Sequence, residues 1–250
     1  MKENRIGERI INTQGQIMEI IKYESARCLD VKFEDGTIVK NKAYGEFRKG
    51  GISNPNYKSM YGIGYIGIGE YSSTKHKKHY ETWKNMFTRC YSEKYHETRP
   101  TYKECTVCPE WHCFQNFARW YDENFYNVNN ERMSLDKDIL VKGNKVYSPE
   151  TCIFLPSVIN SSFEIKKKNK DNLPTGIRRK KWGYELQCNN TYIGIYKTLE
   201  EAINEYFRFK EKSILDTANK YKDYLPEKVY QAIISWVGRI RTDKNEISMY

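Results

Sequence analysis

Long apolar runs are missing from this 250-residue chain. No stretch approaches the roughly 18 consecutive apolar residues that a helical membrane span requires, so a membrane partner is not expected. The polar start MKENRIGER lacks the apolar core of a signal peptide, which leads to the expectation of an intracellular, cytoplasmic protein. A disulfide framework is lacking as well. The 7 cysteines are an odd number, and without a secretory signal they suit reduced thiols or a metal site better than disulfides.

What is present is the composition of a folded, water-soluble protein: 39% hydrophobic and 30% charged residues, with 21 tyrosines that add apolar area carrying a hydroxyl. The length holds two or three compact units, since single domains commonly run about 100 to 200 residues. A formal charge of +10 favours a polyanionic partner, because Lys and Arg gain most where they displace counterions from a phosphate backbone. That charge is uneven. Residues 165–250 carry 18 basic against 11 acidic side chains, whereas 1–55 carry 10 against 8 and 56–164 carry 14 against 13.

Read in order, residues 1–52 alternate like short strands around Gly15 and Asp35-Gly36, predicting a small β-barrel-like module of about five strands. Residues 53–79 read as a linker with a basic run from Lys75 to His79. Gly62-x-Gly64-x-x-Gly67 fits a dinucleotide pattern, but no helix signal follows to receive a phosphate, so it is discounted. Trp83, Met86, Phe87 and Cys90, then Phe114, Phe117, Ala118 and Tyr121, recur at helical spacing and predict two core-facing helices. The stretch 133–160, MSLDKDILVKGNKVYSPETCIFLPSVIN, reads as a hairpin followed by a helix. After the basic linker 166–173 come three short strands within 174–196. A long helix opened by a Thr198/Glu201 capping box follows, and then a last helix in 225–250 whose Val229, Ile233, Trp236 and Ile240 stripe packs internally or on a partner. The fold class expected is α+β.

Segments RCY at 89–91, VCPEW at 107–111, FQNFARWY at 114–121, LDKDIL at 135–140 and YSPETC at 147–152 resemble the HNH-type (His-Me finger) proteins abundant in bacteriophages. Residues 174–221 resemble the three-strand-plus-helix DNA-binding domain of the ethylene-response-factor type. The resemblance implies an HNH-like ββα domain over 80–165, a DNA-binding domain over 174–224, and residence in a bacterial host cell. It also implies metal-dependent hydrolysis of DNA phosphodiester bonds, with a strand carboxylate and a helix ligand holding Mg²⁺ or Mn²⁺ beside a general base.

On the matching positions Asp136 is the strand ligand and Asn160 the helix ligand. Lys137 occupies the slot of the general-base histidine, and Thr151 stands where an Asn is usual. A lysine near its ordinary pKa of about 10.4 stays protonated at neutral pH, so it suits a phosphate contact and not proton abstraction. None of the 4 histidines falls in that slot. Asp136 and Asp138 would share one face of an ideal strand, offering a carboxylate pair for Mg²⁺. Cys105-x-x-Cys108 has the spacing of a zinc knuckle, which Cys90 and Cys152 would complete as a structural Cys₄ site, with His112 or Cys113 as substitutes.

For double-stranded DNA the expected contacts are Arg178, Arg179, Lys180, Lys181 and Trp182 at the first turn of the sheet, with Lys166, Lys167 and Lys168 as a phosphate-facing strap. Tyr184 and Gln187 fall on opposite faces of an ideal strand, so they cannot both read DNA. The rival expectation is a binding protein that keeps the nuclease frame without cleavage and serves as a regulator or inhibitor of a host defence enzyme.

Overall fold

The computed structural model describes residues 5–163, 173, 176–188 and 191–248. Helices and several small sheets alternate along the chain, which divides into two compact units, Met1–Glu123 and Asn124–Tyr250. The division falls inside the segment 80–165 that the sequence suggested as one domain. Its physical basis is the core. Val128, Ile139, Ile153, Leu155 and Ile159 bury themselves in the same apolar cluster as Ile177, Leu186, Ile203, Phe207, Ile214 and Ile233. Segments 124–163 and 176–237 therefore fold around one interior, not as separate domains.

In the first unit, β1 (Arg9–Ile11), β2 (Ile17–Ser25), β3 (Cys28–Phe33) and β4 (Ile38–Lys42) form an antiparallel sheet in the order β1-β2-β3-β4. There are four described strands in place of the five expected, with β1 and β4 as its edges. Alternation places Met18, Ile20, Leu29, Val31 and Phe33 on one face, where the short helix α1 (Tyr44–Arg48) adds Phe47. The Asp35-Gly36 turn forms as its sequence predicts: Gly36 adopts φ +86°, and the Asp35 carboxylate accepts the Thr37 N–H at 2.9 Å.

Helices α2 (Lys77–Tyr91), α3 (Glu93–Thr98) and α4 (Phe114–Asn124) follow, with the two-residue strand β5 (Thr106–Val107) between the last two. Trp83, Met86 and Phe87 from α2 and Phe114 and Phe117 from α4 are buried. The aromatic stripes are thus core, tied together by the Trp83 indole donating to the Trp111 carbonyl at 2.7 Å.

Residues 53–76, expected as part of a linker, contain no helix or regular strand yet are pinned to this core. The Gln115 side chain donates to the carbonyls of Ile66 at 3.1 Å and Tyr71 at 2.8 Å and accepts the Tyr71 N–H at 3.0 Å. Gly64 lies so close to Trp83 and Phe87 that a Cβ there would meet their rings at 2.9 Å. Gly64 and Gly67 of the GxGxxG pattern thus serve close packing, Gly62 a turn at φ +70°, and the next helix starts only at Lys77.

In the second unit, β6 (Met133–Asp136) pairs antiparallel with β8 (Ile153–Pro156), and α5 (Ser157–Ser162) follows at once. The two-residue strand β7 (Val146–Tyr147) lies in the intervening loop. A second sheet, ordered β11-β10-β9, comprises β9 (Ile177–Lys180), β10 (Gly183–Cys188) and β11 (Thr191–Tyr196). Helix α6 (Leu199–Tyr221) packs on β10, opened by the expected capping box: Glu201 N–H donates to Thr198 Oγ1 at 3.1 Å, and the Glu201 carboxylate accepts the Thr198 N–H at 3.1 Å. Helix α7 (Glu227–Ser248) packs against α6. Val229 and Ile233 of its stripe are buried and Trp236 lies against Phe163 at a ring separation of 4.7 Å, while the Ile240 side chain lies outside the described residues.

Candidate functional site

Two places were singled out by sequence, the loop after β6 and the sheet β9–β11, and they differ in what their side chains are free to do. At the first, β6 stops at Asp136 because that carboxylate turns the chain. One oxygen, Oδ1, accepts the N–H groups of both Asp138 and Ile139 at 2.8 Å, an Asx-type turn that competes with strand continuation. Burial pushes the Asp136 carboxyl above its ordinary range, and the two N–H bonds offset only part of that.

Asp138 is therefore past the strand end. It does not share a strand face with Asp136, contrary to the ideal-strand expectation, and its carboxylate is bound by the Lys137 ammonium. Lys137 is buried and also donates to the Asn144 carbonyl at 2.8 Å, while Asn144 returns a side-chain N–H to the Lys137 carbonyl at 2.8 Å. The Tyr147 ring centroid lies 5.9 Å from the ammonium. Thr151, in the slot where Asn is usual, donates to the Val146 carbonyl at 2.8 Å. Lys137 thus stands at the centre of several hydrogen bonds internal to the loop 137–152. A lysine held this way is a structural clamp and not an exposed phosphate ligand.

Asn160 lies on α5, which packs on β6 and β8. Asp136 pairs with Ile153 at the end of the ladder away from Met133 and Pro156, where α5 begins, three ladder positions or about 10 Å along the strand. Among the described residues no group of three or more His, Cys, Asp or Glu side chains is arranged to hold a metal ion. One oxygen of Asp136 is engaged by the backbone and one oxygen of Asp138 by Lys137, so both carboxylates serve the loop itself.

All 7 cysteines are free thiols in the structure. Cys90 and Cys105 are buried and Cys108 is half-buried within the first unit. Cys90 and Cys108 both lie near the Tyr91 phenol, whose pKa is raised chiefly by burial; its oxygen accepts the Val107 N–H at 3.0 Å. Cys152 is buried in the second unit.

The sheet β9–β11 has a different character. Ile177, Leu186 and Cys188 turn inward and are buried, so the intervening residues turn outward. Register defines the outward rows: Arg178 beside Glu185 beside Ile195, and Gln187 beside Tyr192, with Lys180 opposite Gly183 at the turn. Tyr192 and Ile195 are exposed. Lys181 and Trp182 form the tip of the two-residue turn, and Trp182 retains 80% of its accessible surface.

Gly183 makes this turn possible. Its φ is +144°, and a Cβ would lie 2.2 Å from the Tyr196 carbonyl oxygen. Lys180 pairs with Glu185 at 3.4 Å, so the one acidic side chain in the middle of the face is partly neutralised. Arg179, expected with this group, falls in the opposite row beside Tyr184 and Tyr196, and donates to the Tyr184 hydroxyl at 3.3 Å. Gln187 faces outward and Tyr184 does not, which resolves the either-or set by strand geometry. Lys166, Lys167 and Lys168 lie outside the described residues.

Sequence reasoning missed Tyr192 and Ile195, because their direction depends on the register shift between Leu186 and Gln187. It also missed a polar cluster in the first unit. There, Asp122 accepts the Tyr71 hydroxyl at 2.7 Å and contacts His79 Nε2 at 2.6 Å. Residues 43 and 51 positions apart carry no sequence signal for such a contact.

Compared with protein-family models, curated proteins and solved structures, the chain matches none.

Proposed function

We propose that this protein binds double-stranded DNA through the outward face of β9–β11 and does not cleave it through the β6–β8 frame. One observation carries the reading. Arg178, Lys180, Lys181 and Gln187 share a sheet face and its tip with an indole left 80% exposed. A tryptophan can bury about 200 Å², and although the Lys181 ammonium lies 4.9 Å from this ring's centroid, leaving most of the indole in water is unfavourable.

The chemistry suits a duplex. A guanidinium and an amide on the same face of neighbouring strands can donate to and accept from base edges in the major groove, while ammonium groups at the tip neutralise phosphates. The basic excess of residues 165–250, 18 against 11, favours a polyanion over a neutral protein surface. The absence of cleavage is supported by the commitments of Asp136, Lys137 and Asp138 to the loop's own hydrogen bonds. In that form the protein acts as a DNA-directed regulator, with inhibition of a host defence enzyme as the rival role.

The test is fluorescence anisotropy of the full chain with labelled duplexes across a salt series, beside a plasmid-nicking assay in Mg²⁺ and Mn²⁺. Salt-sensitive binding that weakens at least tenfold in Arg178→Ala/Trp182→Ala, with no nicking, is expected. Unchanged affinity in that variant would overturn the assigned face. Nicking abolished by Asp136→Asn would overturn the non-cleaving assignment.

A further inference from the structure

The first unit displays a second cationic surface. Lys75, Lys77 and Lys78 are exposed, as is Lys84, which lies two helical turns beyond Lys77 on the same face of α2. None of the four forms an ion pair among the described residues, and Glu81 is the one acidic side chain set among them on α2.

These lysines are presented on ordered backbone. The Ser72 N–H donates to His76 Nδ1 at 3.1 Å, the Lys75 N–H donates to Ser72 Oγ at 3.2 Å, and the His76 N–H reaches the Ser72 carbonyl at 2.9 Å. Asp122 fastens both ends of the segment to α4 by accepting the Tyr71 hydroxyl and contacting His79. The basic run is therefore a fixed strap whose polar groups point into the protein and whose ammonium groups point out. Holding like charges on a rigid segment is unfavourable by itself and is offset when a polyanion lies across them.

We infer that the Lys75–Lys78 strap and Lys84 form, on the first unit, a contact surface for the phosphate backbone of duplex DNA. The inference rests on the DNA-binding reading above. The strap would supply affinity without sequence preference, and the sheet would supply the preference.

The experiment uses the full chain and measures duplex affinity against salt for three variants. Lys75→Gln/Lys77→Gln/Lys78→Gln keeps the side-chain stems and removes the charge. Its slope of log affinity against log salt is expected to fall by about 2 to 3, equally for every duplex sequence. Glu81→Gln, which removes the opposing charge, is expected to tighten binding two- to fivefold at low salt.

An unchanged slope in the triple variant, with wild-type circular dichroism, overturns the strap while leaving the sheet reading intact. If Arg178→Ala/Trp182→Ala binds like wild type and the triple variant loses binding, the strap stands and the sheet reading fails. If wild type binds no duplex, or an acidic peptide displaces duplex better than heparin does at equal charge, the inference is overturned.

Discussion

The ammonium of Lys137 donates to the main-chain carbonyl of Asn144 at 2.8 Å, and the Asn144 amide donates back to the carbonyl of Lys137 at 2.8 Å. This reciprocal pair closes the loop that separates β6 from β8. It gives a structural task to the residue that the sequence resemblance sets in the slot of a general base.

Lys137→Met therefore tests clamp against ligand. Removing the ammonium leaves a buried carbonyl short of a donor, and stability is expected to fall by about 1 to 3 kcal/mol. Duplex affinity is expected to be unchanged in the folded protein. Chemical denaturation together with anisotropy reads both, and a stable variant with weakened binding would make Lys137 a phosphate ligand.

Asp136 gives a pH signature. Burial raises its folded pKa above the ordinary 3.8, so the folded state holds this proton more tightly than the unfolded chain. The associated stability is fully present below about 3.8 and is lost as pH rises through the folded value. Asp136→Asn keeps the acceptor oxygen and removes the titration. The stability of wild type minus variant is expected to grow as pH is lowered from 7 toward 4. Thermal melts across that range check it, and a difference that shrinks on acidification would contradict the assignment.

Gly183→Ala places a Cβ against the Tyr196 carbonyl in a backbone region that L-residues rarely adopt. A cost of about 1 to 3 kcal/mol is expected, with loss of duplex binding through the displaced Lys181-Trp182 tip. Gly143→Ala, at φ +74° with nothing within 4 Å, serves as the comparison. It is expected to show the smaller backbone cost and to leave binding intact.

The hydrogen bond to Asp122, aided by burial, pushes the Tyr71 phenol up to about 12. Its contribution is complete below the ordinary tyrosine value of about 10 and disappears as pH passes about 12. Carbon-13 tyrosine spectra should show a high-pH resonance that vanishes in Tyr71→Phe and moves to lower pH in Asp122→Asn. A Tyr71 midpoint near 10 in wild type would refute the contact.

Zinc is a proposal resting on the Cys105-x-x-Cys108 spacing and on the shared border of Cys90 and Cys108 at Tyr91. Native mass spectrometry of freshly purified protein tests it against the lack of any three converging ligand side chains among the described residues: one Zn²⁺ per chain, lost in Cys105→Ser/Cys108→Ser, would establish the site. A metal-free mass would identify these residues, with Cys152, as buried thiols.

Periodicity and local turn chemistry were enough for much of the fold. The hairpin at Asp35-Gly36, the aromatic faces of α2 and α4, the three strands after residue 174 and the Thr198/Glu201 cap each depend on residues within a few positions of one another. Local sequence therefore carried them. The β6 end was misread for an instructive reason: alternation continues through Asp138, but the Asp136 side chain captures two backbone N–H groups and ends the strand.

The sequence by itself determined the basic balance, the helix and strand periods, and the positions of Lys137 and the Arg178–Trp182 run. Tertiary structure decided what those residues do. Burial and a carbonyl seven residues away made Lys137 a clamp, a shift in strand register brought Tyr192 and Ile195 to the same face, and one shared core joined segments that composition had divided. Each of these depends on which groups meet across the fold, and hydrophobic period and charge count do not encode that.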